Sequence, residues 1–187
     1  MFKFEELDDE TRAYMLRFTE EQMAIGPLRP SERFTAEGTA AYPEILKDAI
    51  SKGNEVTLAR LLDVPHYWET KEPNPRKPGA MKKVPHNRHE QFAITEFNTY
   101  YVQGLARKLI DEGETRCEIY RAEQAKRDSK PCPLIKYEGI PILLDMVIAG
   151  YRQYGSAKLV TPQGICVPDH ANCHHCIRRV RGEGQEK

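Results

Sequence analysis

The stretch NRHEQFAITEFNTYYVQGLARKLIDE (residues 87–112) decides the fold. Inside it Ala93, Phe97, Tyr101, Leu105 and Leu109 recur at every fourth position. A helix completes a turn in about 3.6 residues, so this spacing lays a continuous apolar stripe along one face. Tyr100 and Ile110 widen the stripe, and Gly113 ends it. Such a stripe needs other elements laid over it, which predicts a central helix packed among its neighbours. Glu96 falls in the same stretch, a candidate buried carboxylate expected to be structural, capping or pairing with Arg107 or a similar base.

Toward the N-terminus the signals remain helical. Asp8-Asp9 precede an amphipathic run carrying Met15 and Phe18, which Gly26-Pro27 stops before a Pro/Arg loop. Thr35 is placed to cap a second helix reaching Lys52, with Gly53 at its stop and Pro43 predicting a kink or a restart. Asn54 can cap a short third helix through Leu61-Leu62. Residues 63–86 differ in composition. There Pro65, Pro73, Pro75, Pro78 and Pro85 are interspersed with Lys71, Arg76, Lys77, Lys82 and Lys83, which reads as an extended basic linker or arm. One reading is a solvated loop. The other is a strap on a partner or on DNA phosphates, because clustered cations supply affinity without reading sequence. Trp68, the only tryptophan, is expected to anchor the start of this segment in the core.

After Gly113 the periodicity changes. Residues 116–122 alternate and carry Cys117, Ile119 and Tyr120, which favours a strand. Pro131, Pro133, Gly139, Pro141, Gly150, Gly155, Pro162, Gly164 and Pro168 then divide the chain into short elements. The fold class expected is α+β. A helical part spans 1–62, the basic linker 63–86, the long helix with a small loop-rich Cys/His region 87–180, and a polar tail 181–187.

With 28 basic and 28 acidic residues among 187, the chain has no overall field to draw in nucleic acid or a membrane, so such binding needs a local patch. The longest apolar run, residues 140–148, is far short of the roughly 20 residues that span a bilayer and is interrupted by Pro141 and Asp145. No signal-like segment opens the chain, so the protein is expected to stay where it is made. All five cysteines fall after residue 116 and their number is odd, which points to buried thiols or metal binding in a reducing compartment rather than a disulfide framework.

The distinctive chemistry lies in Cys166-Val167-Pro168-Asp169-His170-Ala171-Asn172-Cys173-His174-His175-Cys176. Cys173 and Cys176 have the two-residue gap that lets both thiolates reach one tetrahedral zinc, and His170 precedes Cys173 by the same gap. The expected ligand set for a single structural zinc is Cys132, His170, Cys173 and Cys176, with His175, Cys166 and Cys117 as alternates. Packed thiols without metal are the simpler alternative. HExxH, HxE…PCxxC, a Gly-rich phosphate loop, GxSxG and kinase signatures are all missing, so no catalytic residues are assigned. Asp169-His170 with Asn172 gives a faint likeness to a metal-dependent HNH nuclease.

Three pieces in order carry a family likeness. They are Thr95-Glu96 on the long helix, then Asp128-Ser129-Lys130-Pro131-Cys132-Pro133-Leu134-Ile135 followed by Glu138-Gly139, then Pro168-Asp169-His170-Ala171-Asn172-Cys173-His174-His175. This resembles the C-terminal region of the phage Mu F-like head-morphogenesis (minor capsid) family. That family shows Thr-Glu, then D-x-x-x-C-x-x-C with a following D/E-G, then P-x-H-P-N-C-R-C. The likeness covers roughly residues 90–180. Ile135 stands where the second Cys of the first pair belongs, and His175 where the last Cys belongs, with Cys176 next to it. The resemblance implies a minor head protein assembled with portal and capsid proteins; the helical stripe and the basic arm, the latter outside the likeness, are the surfaces expected to bind them. It also implies possible DNA contact, residence inside the head and in the host cytoplasm during assembly, and no enzymatic activity. A zinc-stabilised nucleic-acid-binding module using the arm and Arg178-Arg179-Arg181 is the alternative.

Overall fold

A computed structural model describes residues 2–26, 28, 33–74, 76–123, 132–154, 164–170 and 173–181, the side chains of 152–154 excepted. Outside these fall Pro27 and residues 29–32 of the Pro/Arg loop, and Pro75 of the basic segment. So do residues 127–131 and 171–172 of the family motif, Gly155, Pro162, and 182–187 of the tail.

The three N-terminal helices start where their caps direct. Helix α1 (Asp9–Ile25) begins at Asp8, whose carboxylate accepts the Thr11 N–H at 2.7 Å. Helix α2 (Ala36–Lys52) begins at Thr35, whose hydroxyl accepts the Gly38 N–H at 3.1 Å. Helix α3 (Glu55–Leu62) begins at Asn54, whose side-chain oxygen accepts from Val56 and Thr57. Each cap satisfies donors that the first helical turn leaves open. Helix α2 runs on through Pro43 rather than restarting there. The proline forgoes one backbone bond, and burial of Tyr42 and Leu46 on the same helix outweighs the loss.

Helix α4 (Arg88–Asp111) is the axis of the molecule. Ala93, Phe97, Tyr101, Leu105 and Leu109 are all fully buried, as the fourfold spacing predicts. Helices α1 and α3 cover much of it. Helix α5 (Leu144–Tyr154) and strand β5 (His175–Arg179) also pack on it. The stripe is therefore core. Ile110 does not widen it but turns to solvent, 37% exposed.

Strand β3 (Arg116–Arg121) is the centre of a three-stranded antiparallel sheet, flanked by β4 (Pro141–Leu143) and β5. One hydrophobic core runs from Phe2 to Ile177 and takes in residues from both halves of the chain. With five α-helices and small antiparallel sheets among the described residues, the fold is α+β.

Residues 63–86 fold back on themselves instead of extending as an arm. Strands β1 (Lys71–Pro73) and β2 (Met81–Lys83) form a hairpin that pairs Lys71 with Lys83, Glu72 with Lys82 and Pro73 with Met81. Gly79, at φ +80°, supplies the left-handed residue that the turn requires. Opposite charges face each other in this register, since Glu72 pairs with Lys82 at 2.8 Å and also binds Arg33. Trp68 anchors the base as expected. It is buried, stacks on Phe34 at 4.2 Å and donates its indole N–H to the Leu62 carbonyl at 2.7 Å.

Gly104 is where α1 and α4 cross. A Cβ there would meet Met15 Cγ at 2.5 Å and the Met15 backbone nitrogen at 2.8 Å. Backbone cannot yield as a flexible side chain can. Gly104→Ala should therefore destabilise the fold by about 1–3 kcal/mol, read as a lower urea midpoint; an unchanged midpoint would mean the helices do not cross at this glycine.

Candidate metal centre

Two remote segments converge on one point. Cys132 stands at the head of a short 3-10 turn, Pro133–Tyr137. A parallel bridge between Ile119 and Glu138, and a hydrogen bond from Gly139 N–H to the Ile119 carbonyl at 2.9 Å, tie the end of this turn to β3. The other segment enters β5, paired antiparallel with β3 so that Arg121 lies opposite His175 and Tyr120 opposite Cys176. Just upstream the Cys173 N–H donates to the His170 carbonyl at 2.9 Å, and the Ala122 N–H to the His174 carbonyl at 2.8 Å. Strand β3 is thus the shared rail that sets Cys132 beside Cys173.

The ligand atoms then meet at short range. Cys132 Sγ and Cys173 Sγ are 3.7 Å apart, and Cys173 Sγ is 3.6 Å from His175 Nδ1. A tetrahedral zinc with its usual bond lengths needs edges of about 3.8 Å between two thiolates and about 3.6 Å between thiolate and imidazole nitrogen. Cys132, Cys173 and His175 lie close together and can bind a metal ion. Cys132 belongs also to a second group with Asp169 and His170, the ligand atoms all within 4.8 Å of one another. His175 and Cys173 are both buried, whereas Cys132 is half-buried and His170 exposed. The site therefore opens to solvent on the side of Cys132 and His170.

The electrostatics favour one thiolate. The hydrogen bond from Cys173 pulls the Cys132 thiol well below its ordinary range, and the Leu134 backbone N–H assists. The same contact and burial push Cys173 upward. His175 Nε2 is 2.7 Å from Glu138 Oε1, an oxygen that also accepts from Arg121 Nε at 3.1 Å and Nη2 at 2.8 Å. Burial works against ionisation of Glu138, yet the bonds from Arg121 and His175 hold its carboxyl below the usual glutamate range.

Three of the four expected ligands are here, and the fourth is not. Cys132, His170 and Cys173 fall in the two groups, and His175, expected only as an alternate, takes the place assigned to Cys176. Cys176 faces the opposite way, fully buried, with its thiol donating to Asn98 Oδ1 at 2.9 Å. Burial pushes that thiol far above its ordinary range, so it stays protonated. The sequence suggests a tight turn through Cys173 and Cys176, but the chain is entering a strand. There alternate residues share a face, so Cys173 pairs with His175, while His174 turns away to stack on Phe2 at 5.6 Å.

The alternates Cys117 and Cys166 belong to neither group. Burial raises them to about 12 and about 11, and all five cysteines are free. Asn98 carried no signal in the sequence that singled it out, and Glu138 stood out only as part of the Glu138-Gly139 pair, with no contact to His175 legible, since both roles depend on pairings between remote segments.

Glu96 is held differently from expectation. Arg107 lies about three helical turns further on and binds Gln103 while covering the Phe18 ring at 4.2 Å. Glu96 instead accepts the Tyr42 hydroxyl at 2.7 Å, and burial pushes its carboxyl up to about 7 despite that bond. The basic residues are scattered in role. Lys71, Arg76, Lys77 and Lys83 are exposed on the hairpin, while Lys82 is held by Glu72. Arg178 pairs with Glu118 and Glu5, Arg179 with Glu6, Glu112 and Glu114, and Arg181 with Glu5. Compared with family models, with curated proteins and with solved structures, the chain matches none.

Two outcomes follow. Cobalt(II), a spectroscopic stand-in for zinc, should bind at one equivalent with thiolate charge-transfer bands; Cys132→Ser should abolish them and Cys176→Ser should leave them, and the reverse pattern would restore Cys176 to the site. Because its folded pKa exceeds the unfolded value, Glu96 stabilises the fold fully below about pH 4.5, and this contribution is lost as pH rises through about 7. Glu96→Gln should flatten that decline in a series of urea melts between those pH values.

Proposed function

We propose that the chain is a phage or prophage minor head protein that acts in capsid assembly, its C-terminal half pinned by one structural zinc on Cys132, Cys173 and His175. What carries this reading is the convergence of Cys132 with the Asp169–His175 segment. These are two of the three pieces whose order resembles the Mu F-like family, and they lie 3.7 Å apart at their sulfurs. Thiolates with imidazole at tetrahedral spacing suit zinc better than the harder cations. The His that replaces Cys in the family motif is the His that joins the site, so the substitution keeps a ligand there. Ile135, which replaces the other Cys, is half exposed and supplies none. In this role zinc closes a small region and the chain acts by binding.

The surface offered to partners is the β1–β2 hairpin and not the helical stripe. Lys71, Arg76, Lys77 and Lys83 stand exposed there beside Met81, a mixed cationic and apolar face suited to an acidic partner surface or to DNA phosphates. No helix among the described residues is long and apolar enough to cross a membrane.

Co-expression with portal and capsid proteins tests the reading. The tagged chain should sediment with heads or co-purify with portal, and alanines at the four hairpin cations should weaken that association. A chain that sediments alone in the presence of assembled heads would remove the assembly role. If the hairpin contacts DNA, its affinity should fall steeply with salt.

A further inference from the structure

The metal ligand His175 has two ring nitrogens, and only one of them faces the thiolates. We propose that Glu138, locked by Arg121, is the positioning residue of the metal centre: it fixes His175 with the proton on Nε2, so that Nδ1 is presented to the metal. The inference rests on the zinc reading given above.

The geometry is specific. Nδ1 lies 3.6 Å from Cys173 Sγ, and Nε2 lies 2.7 Å from Glu138 Oε1 on the far side of the ring. A carboxylate can only accept, so Nε2 is the nitrogen that carries the hydrogen. Nδ1 is left with its lone pair, which is the form a metal requires. The ring is buried to 1% exposure, and Glu138 is the partner that Nε2 has there. Glu138 itself cannot swing freely. Its Oε1 is held by two N–H groups of Arg121, and its backbone by the bridge to Ile119. Arg121 is opposite His175 in the β3–β5 ladder, so one register places the ring, the carboxylate and the guanidinium together. A hydrogen bond of this kind makes the imidazole a better donor and saves the cost of orienting it when the metal arrives.

Glu138 is also well placed not to be a ligand. It reaches the nitrogen turned away from the thiolates, and it belongs to neither candidate ligand group. Its loss should therefore weaken metal binding without changing the coordination sphere.

The experiment compares the full chain with Glu138→Gln and Glu138→Ala. Zinc affinity is measured by competition with a chelating dye, cobalt(II) spectra report the coordination, and nitrogen-15 spectra of the imidazoles report the His175 tautomer. Expected are a loss of zinc affinity of about 10- to 100-fold in Glu138→Ala, a smaller loss in Glu138→Gln, unchanged cobalt band positions, and an Nε2-protonated His175 in the native chain. Equal affinity in all three proteins, or an Nδ1-protonated ring, overturns the role of Glu138 and leaves the zinc reading standing. No zinc or cobalt binding by the native chain overturns both. A change in the cobalt bands on mutation would make Glu138 a ligand and overturn the positioning role alone.

Discussion

The side chain of Asn98 is the contact on which the arrangement depends. It is wholly buried on α4, donates from Nδ2 to the His175 carbonyl at 2.8 Å and accepts at Oδ1 from the Cys176 thiol at 2.9 Å. A buried amide without partners costs several kcal/mol, roughly, and here both ends are satisfied by adjacent residues of one strand. That makes the bond a register pin. Slipping β5 by one residue would orphan the amide and turn every side chain of the strand to the other face. With β5 fixed, Cys176 is committed to the core and His175 to the opposite side, where Cys173, Cys132 and Glu138 wait.

The N-terminus reinforces the same strand from another direction. Glu5 and Glu6 bind Arg178, Arg179 and Arg181, and the Glu6 carboxylate accepts the Arg179 backbone N–H at 2.6 Å. Phe2 lies in the core and Lys3 donates its backbone N–H to the Ala122 carbonyl at 3.0 Å. Arginines that the sequence offers as nucleic-acid contacts are therefore a latch between strand β5 and the segment before α1. Their charge is already answered, which is why the basic surface contracts to the hairpin.

Much of the fold was legible because local rules agreed with one another. The caps at Asp8, Thr35 and Asn54 and the stripe from Ala93 to Leu109 each located a helix without reference to the rest of the chain. The basic segment was misread because five prolines suggested extension. The hairpin is held instead by Gly79, by the Glu72–Lys82 pair and by the burial of Trp68, none of which is a composition effect. At the metal centre the right residues were in view, but their facing was not. The two-residue gap between Cys173 and Cys176 has one meaning in a turn and another in a strand. Only the pairing with β3 decides between them.

The candidate metal centre borders the core, Cys173 belonging to it and Cys132 packing against it. Helix α4, the β3–β5 ladder, the Asn98 pin and the arginine latch engage none of the side chains of Cys132, Cys173 and His175. A metal bound there would add a direct link between the 3-10 turn at Pro133–Tyr137 and the strand entry at Cys173, two segments that also meet through the Glu138 bonds to Arg121 and His175. Loss of the site should then be felt first in those two segments, while the helical body keeps its packing. A clip of this kind would stiffen the half-buried side of the site at Cys132 and leave the buried stripe to hold the rest.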